Sequence, residues 1–126
     1  MTDYLGSKLA AFEQALNTFK EALLENPSPL ERDGAIQRFE YCFDLAWKTL
    51  KRSMEKHGFL ELNSPRAIFA AAFTEGIIDD EVIWSTILLR RNASVHTYNQ
   101  KLAEALFSEL PEYYNAMSVL LKKLKE

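Results

Sequence analysis

The chain has 126 residues, of which 48% are hydrophobic, and a formal net charge of −3 at pH 7. This length and composition are typical of one globular domain over residues 1–126 with a single core, and they exclude an intrinsically disordered chain. The net acidity argues against broad electrostatic capture of nucleic acid, so we expect no DNA partner and only local contacts with RNA.

Three further features narrow the class of protein. No apolar run approaches the roughly 20 residues that span a bilayer, so we expect no membrane partner. The polar start 'MTDYLGSKLAAFEQ' lacks the pattern of a signal peptide. The single cysteine, Cys42, excludes an internal disulfide and a multi-cysteine zinc site, and the acids and histidines lack a metal-ligand spacing. We therefore expect a cytoplasmic protein with no metal and no cofactor.

Helical periodicity dominates the first half of the chain. Apolar residues recur at steps of three and four from Tyr4 to Leu24, which predicts an amphipathic helix. The stretch 'NPSPLERDG' interrupts this pattern, and a second helix is predicted from Asp33 to His57, with Gly58 as its stop. The apolar stripe of the second helix consists of Ile36, Phe39, Phe43, Trp47, Leu50 and Met54.

Two further helices follow with recognisable start signals. Ser64 is predicted to cap a short third helix whose first residue is Pro65, and Gly76 is predicted to end it. The stretch 'DDEVIWSTILLRR' predicts a fourth helix, capped by either Asp79 or Asp80.

A last helix is predicted from about Asn99 to Lys125, with Pro111 expected to kink it or to split it in two. No alternating strand pattern of useful length occurs in the sequence. The predicted fold class is therefore all-α, an antiparallel four-helix bundle with an additional short helix.

The stretch 'RRNASVHTYNQ', from Arg90 to Gln100, concentrates cationic and acid–base groups. 'TYNQ' fits a capping box in which Thr97 caps the last helix and Gln100 reaches back. That places Arg91 at the end of the fourth helix and His96 in the connector, where both side chains can converge on one anion. Further donors would come from Asn92, Ser94 and Asn99, and from the N–H groups that open the new helix.

The pair of Arg91 and His96 suits the cleavage of RNA by its own 2′-hydroxyl. Histidine supplies a base near neutral pH, and arginine supplies fixed positive charge for the phosphorane. Taken alone, the two residues are also explained as a capping histidine and a helix-end cation. Arg90 faces away from Arg91 and is expected to be a second phosphate contact or a solvated charge.

Glu40 is unusual because it lies on the apolar stripe of the second helix, where an unpaired carboxylate is costly. We expect a cationic partner, either Arg91 or Arg66, and a role for Glu40 in orienting the site. The alternative is a carboxylate at the edge of the bundle or at a dimer seam. Asp44 and Lys48, four residues apart, are predicted to form an ordinary surface pair.

The arrangement Arg-x4-His-x-Tyr, formed by Arg91, His96 and Tyr98, resembles the signature of the HEPN superfamily. The stretches 'QRFEYCFDLAWKTLK' and 'SPRAIFAAAFTEGII' are similar, more narrowly, to the nucleotidyltransferase substrate-binding proteins, which are close relatives of the HepT toxins. The likeness covers nearly the whole chain in the right order.

The resemblance implies a homodimeric bundle that works beside a separately encoded minimal nucleotidyltransferase and binds nucleotide or RNA. In HEPN ribonucleases the Arg and His form a metal-independent site, often composed across the dimer, which would make Arg91 and His96 catalytic. In HepT-type pairs the partner transfers AMP to the tyrosine of the motif, which would make Tyr98 the modification target. A helical adaptor with a degenerate site is a third interpretation.

Overall fold

The computed structural model describes residues 4–59 and 61–126, and in these ranges it contains α-helices, one 3₁₀ turn and no β-strand. The helices are α1 (Tyr4–Glu21), α2 (Pro29–Lys56), α3 (Pro65–Thr74), α4 (Glu81–Ala93) and α5 (Gln100–Lys125). The predicted all-α class is confirmed. None of the helices in these ranges is long and apolar enough to cross a membrane.

Helices α1 and α2 pack antiparallel, as contacts at both ends of the pair establish. The hydroxyl of Thr18, near the end of α1, lies 2.7 Å from the Tyr41 hydroxyl in the first half of α2. Thr49, in the second half of α2, donates to the backbone carbonyl of Lys8, near the start of α1. This hairpin forms the framework on which α5 packs.

The core lies mainly between α1, α2 and α5 and extends to buried residues of α3 and α4, and several of its side chains are aromatic. Phe19 and Phe39 have ring centroids 6.3 Å apart, and Tyr113 on α5 lies 5.7 Å from Phe39. The stripe predicted for α2 is buried except for Trp47, which is half-buried. Burial of these rings is the main favourable term holding the bundle together, because each removes a large apolar area from water.

The predicted start of α2 at Asp33 is wrong, because the helix begins four positions earlier at Pro29. The Ser28 hydroxyl accepts from the Glu31 N–H at 3.1 Å, and the Glu31 carboxylate accepts from the Ser28 N–H at 2.9 Å. This capping box satisfies two backbone N–H groups at the start of the helix. A proline in the first turn removes no helical hydrogen bond, because the N–H group it lacks would have no partner within the helix. The predicted stop is confirmed, since Gly58 has a φ of 91°.

The start signals of α3 and α4 are confirmed. The Ser64 hydroxyl accepts from the Ala67 N–H at 3.2 Å, and the Asp80 carboxylate accepts from the Ile83 N–H at 3.0 Å. Gly76, with a φ of 77°, follows the end of α3 as predicted.

The start of α5 differs from the prediction. Asn99 is the cap, because its side-chain oxygen accepts from the Leu102 N–H at 3.2 Å. The Thr97 hydroxyl instead donates to the Ser94 carbonyl at 2.8 Å, and the Gln100 amide donates to Glu104. The predicted Thr97–Gln100 capping box is therefore wrong. Helix α5 also runs unbroken through Pro111, so it is not split in two.

Candidate functional site

The junction of α4 and α5, residues 90–100, forms a tight corner, and we call it the α4–α5 corner. Helix α4 ends at Ala93, and a 3₁₀ turn over Ser94–His96 leads towards α5. The Asn99 N–H donates to the His96 carbonyl at 3.0 Å, which closes the reversal of the chain. His96 therefore lies in the connector and Arg91 in the last turn of α4, as the sequence predicts.

Arg91 is held between α4 and α2 by two carboxylates. Its Nη1 lies 3.3 Å from Glu40 Oε2, and its Nη2 lies 3.6 Å from Asp44 Oδ2. The two acids are one helical turn apart on α2, so both reach the same guanidinium. The predicted partner of Glu40 is thus Arg91 and not Arg66. The predicted Asp44–Lys48 pair is wrong, because Asp44 faces Arg91.

Ser94 completes the contact beneath Arg91. Its side chain is buried, and its hydroxyl lies 2.6 Å from Glu40 Oε2 and 2.7 Å from the Arg91 carbonyl. A hydroxyl has one hydrogen, and the charged carboxylate is the stronger acceptor. Ser94 therefore faces inward and fixes Glu40, whereas the sequence suggested a donor to a bound anion.

The carboxylates around Arg91 limit the binding of an anion by its guanidinium. One cation faces two carboxylates, and the Arg91 side chain is only 26% exposed. Its Nε is buried without an acceptor among residues 4–59 and 61–126. A phosphate that approaches Arg91 must therefore compete with Glu40 and Asp44 for the remaining donors.

His96 and Tyr98 lie on the outer surface of the corner. Tyr98 is 86% exposed. The two rings meet edge to face with centroids 6.0 Å apart. The corner therefore presents an imidazole and a phenol side by side to solvent. Asn92 is also exposed, whereas the side-chain oxygen of Asn99 is used as the α5 cap.

Arg90 points to α5. Its Nε donates to Glu109 Oε1 at 2.7 Å, and the Tyr113 hydroxyl donates to the same oxygen at 2.7 Å. Hydrogen bonding to Glu109 raises the pKa of Arg90, and burial together with Glu109 raises the pKa of Tyr113. Arg90 thus ties α4 to α5, a contact that its position in the sequence does not reveal.

The structure also bears on metal binding and on the reactivity of Cys42. Among the described residues no set of three or more histidine, cysteine or acidic side chains is placed to hold a metal ion. Cys42 is buried, and burial raises the pKa of its thiol to about 12. A thiol with this pKa is not a nucleophile near neutral pH.

Comparison with known proteins identifies the family of the chain. A protein of Thermus thermophilus has a crystal structure that is similar with a TM-score of 0.86 and 41% identity, covering 91% of this chain and 99% of that one. A Haemophilus influenzae structure, described as the fold of a substrate binding domain of a nucleotidyltransferase, has a TM-score of 0.73 and 25% identity. It covers 97% of both chains.

A Haemophilus influenzae relative named probable ribonuclease HepT is 29% identical over 97 residues. The match covers 74% of this chain and 66% of that protein, slightly less than two thirds of its length. Residues 7–126 match the family described as nucleotidyltransferase substrate binding protein like. The chain therefore belongs to the nucleotidyltransferase substrate-binding protein family.

Proposed function

We propose that this chain is the partner subunit of a separately encoded minimal nucleotidyltransferase, to which it presents the α4–α5 corner with nucleotide or RNA phosphate bound there. The observation that carries the proposal is the exposure of Tyr98, 86%, directly beside the exposed His96. An exposed phenol on a fixed turn is accessible to the active site of another protein. Membership of the family supports a nucleotidyltransferase as that protein.

The group transfer expected at this corner is AMP transfer from ATP to Tyr98. The phenolic oxygen attacks the α-phosphorus, so that an O–P bond forms and the bond between the α-phosphorus and the bridging oxygen breaks. Pyrophosphate leaves with the electron pair of the broken bond, and the phenolic proton passes to a base of the transferase. His96 lies beside the acceptor and would contact the new phosphodiester.

Co-expression with a nucleotidyltransferase encoded beside this chain tests the proposal. We expect a stable complex and, with ATP labelled at the α-phosphate, transfer of label to this chain. Tyr98→Phe should abolish the labelling. Tyr4→Phe is the matched control, because Tyr4 is also exposed, at 53%, but lies outside the corner. Failure to form a complex, or equal labelling of the Tyr98→Phe protein, would refute the proposal.

A metal-independent endoribonuclease is the second candidate function. It is favoured by the way that Glu40 and Asp44 fix Arg91, since transition-state stabilisation needs a preorganised cation. His96 would accept the proton of the 2′-hydroxyl, and Arg91 would stabilise the developing phosphorane. The relative named probable ribonuclease HepT supports this candidate. AMP on Tyr98 would then block the site and silence the enzyme.

Cleavage of RNA by the purified protein in EDTA distinguishes the two functions. If the second candidate is right, the wild type cuts RNA and His96→Ala does not. His57→Ala is the matched control, because His57 follows α2 and its Nδ1 contacts the Ser53 carbonyl away from the corner. Equal cleavage by the wild type and His96→Ala would exclude His96 as the base, and the absence of cleavage by both would exclude the ribonuclease function.

We also propose that the chain forms a homodimer. Helix α4 exposes Val82 at 77% and Leu89 at 56%, seven positions apart and so on one face. An apolar face on a peripheral helix is typical of an interface between subunits. Light scattering should give a dimer for the wild type and a monomer for Leu89→Glu. A monomeric wild type would refute this part of the proposal.

A further inference from the structure

A second concave site lies away from the corner, between the start of α1 and the last part of α2. We call it the α1–α2 pocket, and it has a volume of about 420 Å³. Two aromatic rings and four cationic side chains line it, namely Tyr4, Lys8, Trp47, Lys48, Lys51 and Arg52. The corner residues take no part in it.

The cations of the α1–α2 pocket lie over its rings. Arg52 is 4.5 Å and Lys8 is 5.4 Å from the centre of the Tyr4 ring. Lys48 lies 6.0 Å from the centre of the Trp47 ring. Aromatic faces next to cations provide a stacking surface and a phosphate contact within the span of one nucleotide.

Little of this positive charge is neutralised. Glu55 is the carboxylate of the pocket, and it lies 3.5 Å from Arg52. Lys51 donates to the neutral amide of Asn63 at 3.3 Å. Within residues 4–59 and 61–126, Lys8 and Lys48 form no ion pair with a carboxylate. A chain with a net charge of −3 therefore concentrates positive charge on one concave surface.

We propose that the α1–α2 pocket binds a nucleotide unit, with the base stacked on Trp47 and the phosphate held by Lys48 and Lys51. The two lysines lie one and four positions after Trp47 on α2, so all three side chains belong to neighbouring turns. A volume of about 420 Å³ is within the range of roughly 300–1,000 Å³ typical of small-ligand sites. The same chemistry serves a free nucleotide or one residue of a single-stranded RNA.

Tryptophan fluorescence tests the proposal directly, because a base stacked on Trp47 quenches it. The probes are AMP, a short single-stranded oligoribonucleotide, and ribose 5-phosphate, which has the phosphate but no base. We expect saturable quenching by AMP or the oligonucleotide and none by ribose 5-phosphate. Quenching by AMP but not by the oligonucleotide identifies a free nucleotide as the ligand. Quenching by the oligonucleotide but not by AMP identifies RNA. Either result supports the pocket.

Two variants test the fluorophore and the charge. Trp47→Phe should abolish the quenching, which would identify Trp47 and not Trp84 as the quenched fluorophore. Replacing Lys48 and Lys51 together with Gln should weaken binding at least about fivefold and lower its dependence on salt. The matched control replaces Lys20 and Lys122 with Gln, which removes the same charge from exposed positions outside the pocket. Circular dichroism checks that each variant is folded.

Binding by wild type that is unchanged in the Lys48/Lys51 variant would overturn the proposal. So would equal loss in the Lys20/Lys122 control, no quenching by any probe, or equal binding of ribose 5-phosphate. None of the residues that line the pocket belongs to the α4–α5 corner. The inference therefore goes beyond the proposed transferase partnership, and the two can fail separately.

Discussion

The contact between Ser94 and Glu40 should be the strongest single link between the corner and α2. The hydroxyl donates to a carboxylate at 2.6 Å from a buried position, and a hydrogen bond to a charged group contributes about 1.5–3 kcal/mol. Two features reduce this value here. The Glu40 side chain is 28% exposed, and Ser94 retains the Arg91 carbonyl at 2.7 Å as a second acceptor. We therefore expect a coupling energy of about 1 kcal/mol.

A double-mutant cycle of Ser94→Ala and Glu40→Ala measures this coupling by urea denaturation. Each single variant should lower the free energy of unfolding by about 1–2 kcal/mol, and the double variant should lose about 1 kcal/mol less than the sum. Ser28→Ala combined with Ser94→Ala is the control, because Ser28 caps the start of α2 through Glu31, about 18 Å of helix rise from Glu40, and the two effects should add. A Ser94–Glu40 coupling no larger than the control pair's would refute the geometry.

Three other predictions concern stability. Ser28→Ala should lower the free energy of unfolding by about 1 kcal/mol in urea denaturation, since it removes the α2 capping box. Tyr113→Phe should cost about 1 kcal/mol in the same assay, because the Tyr113 hydroxyl donates to Glu109 at 2.7 Å. Burial raises the pKa of Cys42 from 9.0 to about 12, so between these values the unfolded state binds fewer protons than the folded state. Stability from this thiol is therefore present below pH 9.0 and lost towards about pH 12, and Cys42→Ala should flatten the decline seen by denaturation at several pH values.

Features encoded by neighbouring residues were predictable from the sequence. The α2 stripe, the stop at Gly58 and the caps Ser64 and Asp80 depend on periodicity or on one turn of chain. The start of α2 was missed although its signal is local. The prolines of 'NPSPLERDG' predict a break in the helix, whereas Pro29 occupies the first turn of α2 behind the Ser28 cap.

Features that depend on tertiary packing were harder to predict from the sequence. A carboxylate on an apolar stripe indicated a cationic partner for Glu40, and the ion pair with Arg91 follows that reasoning. Asp44 carries no such signal, because it is equally well placed for Lys48 on its own helix and for Arg91 on α4. Ser94 was interpreted as a ligand donor since nothing in the sequence shows that the 3₁₀ turn points it inward.

The acidic and basic residues of α2 lie in different places, the acids beside the α4–α5 corner and the lysines in the α1–α2 pocket. Beside the corner, Glu40 and Asp44 of α2 contact Arg91. These contacts fix the orientation of the guanidinium, and they also neutralise its positive charge. Seven residues beyond Asp44, a rise of about 10 Å, the same helix carries Lys51 in the α1–α2 pocket. Lys48, in the same pocket, is four residues from Asp44, so the charge along α2 changes sign within about 6 Å. Initial capture of an anion should therefore depend mainly on the pocket lysines, whereas phosphate binding and any chemistry at the corner should depend on Arg91, His96 and Tyr98. If the chain cleaves RNA, replacing the pocket lysines should raise the RNA concentration needed for half-maximal cleavage without changing the cleavage rate at saturating RNA. His96→Ala should instead lower the cleavage rate at saturating RNA.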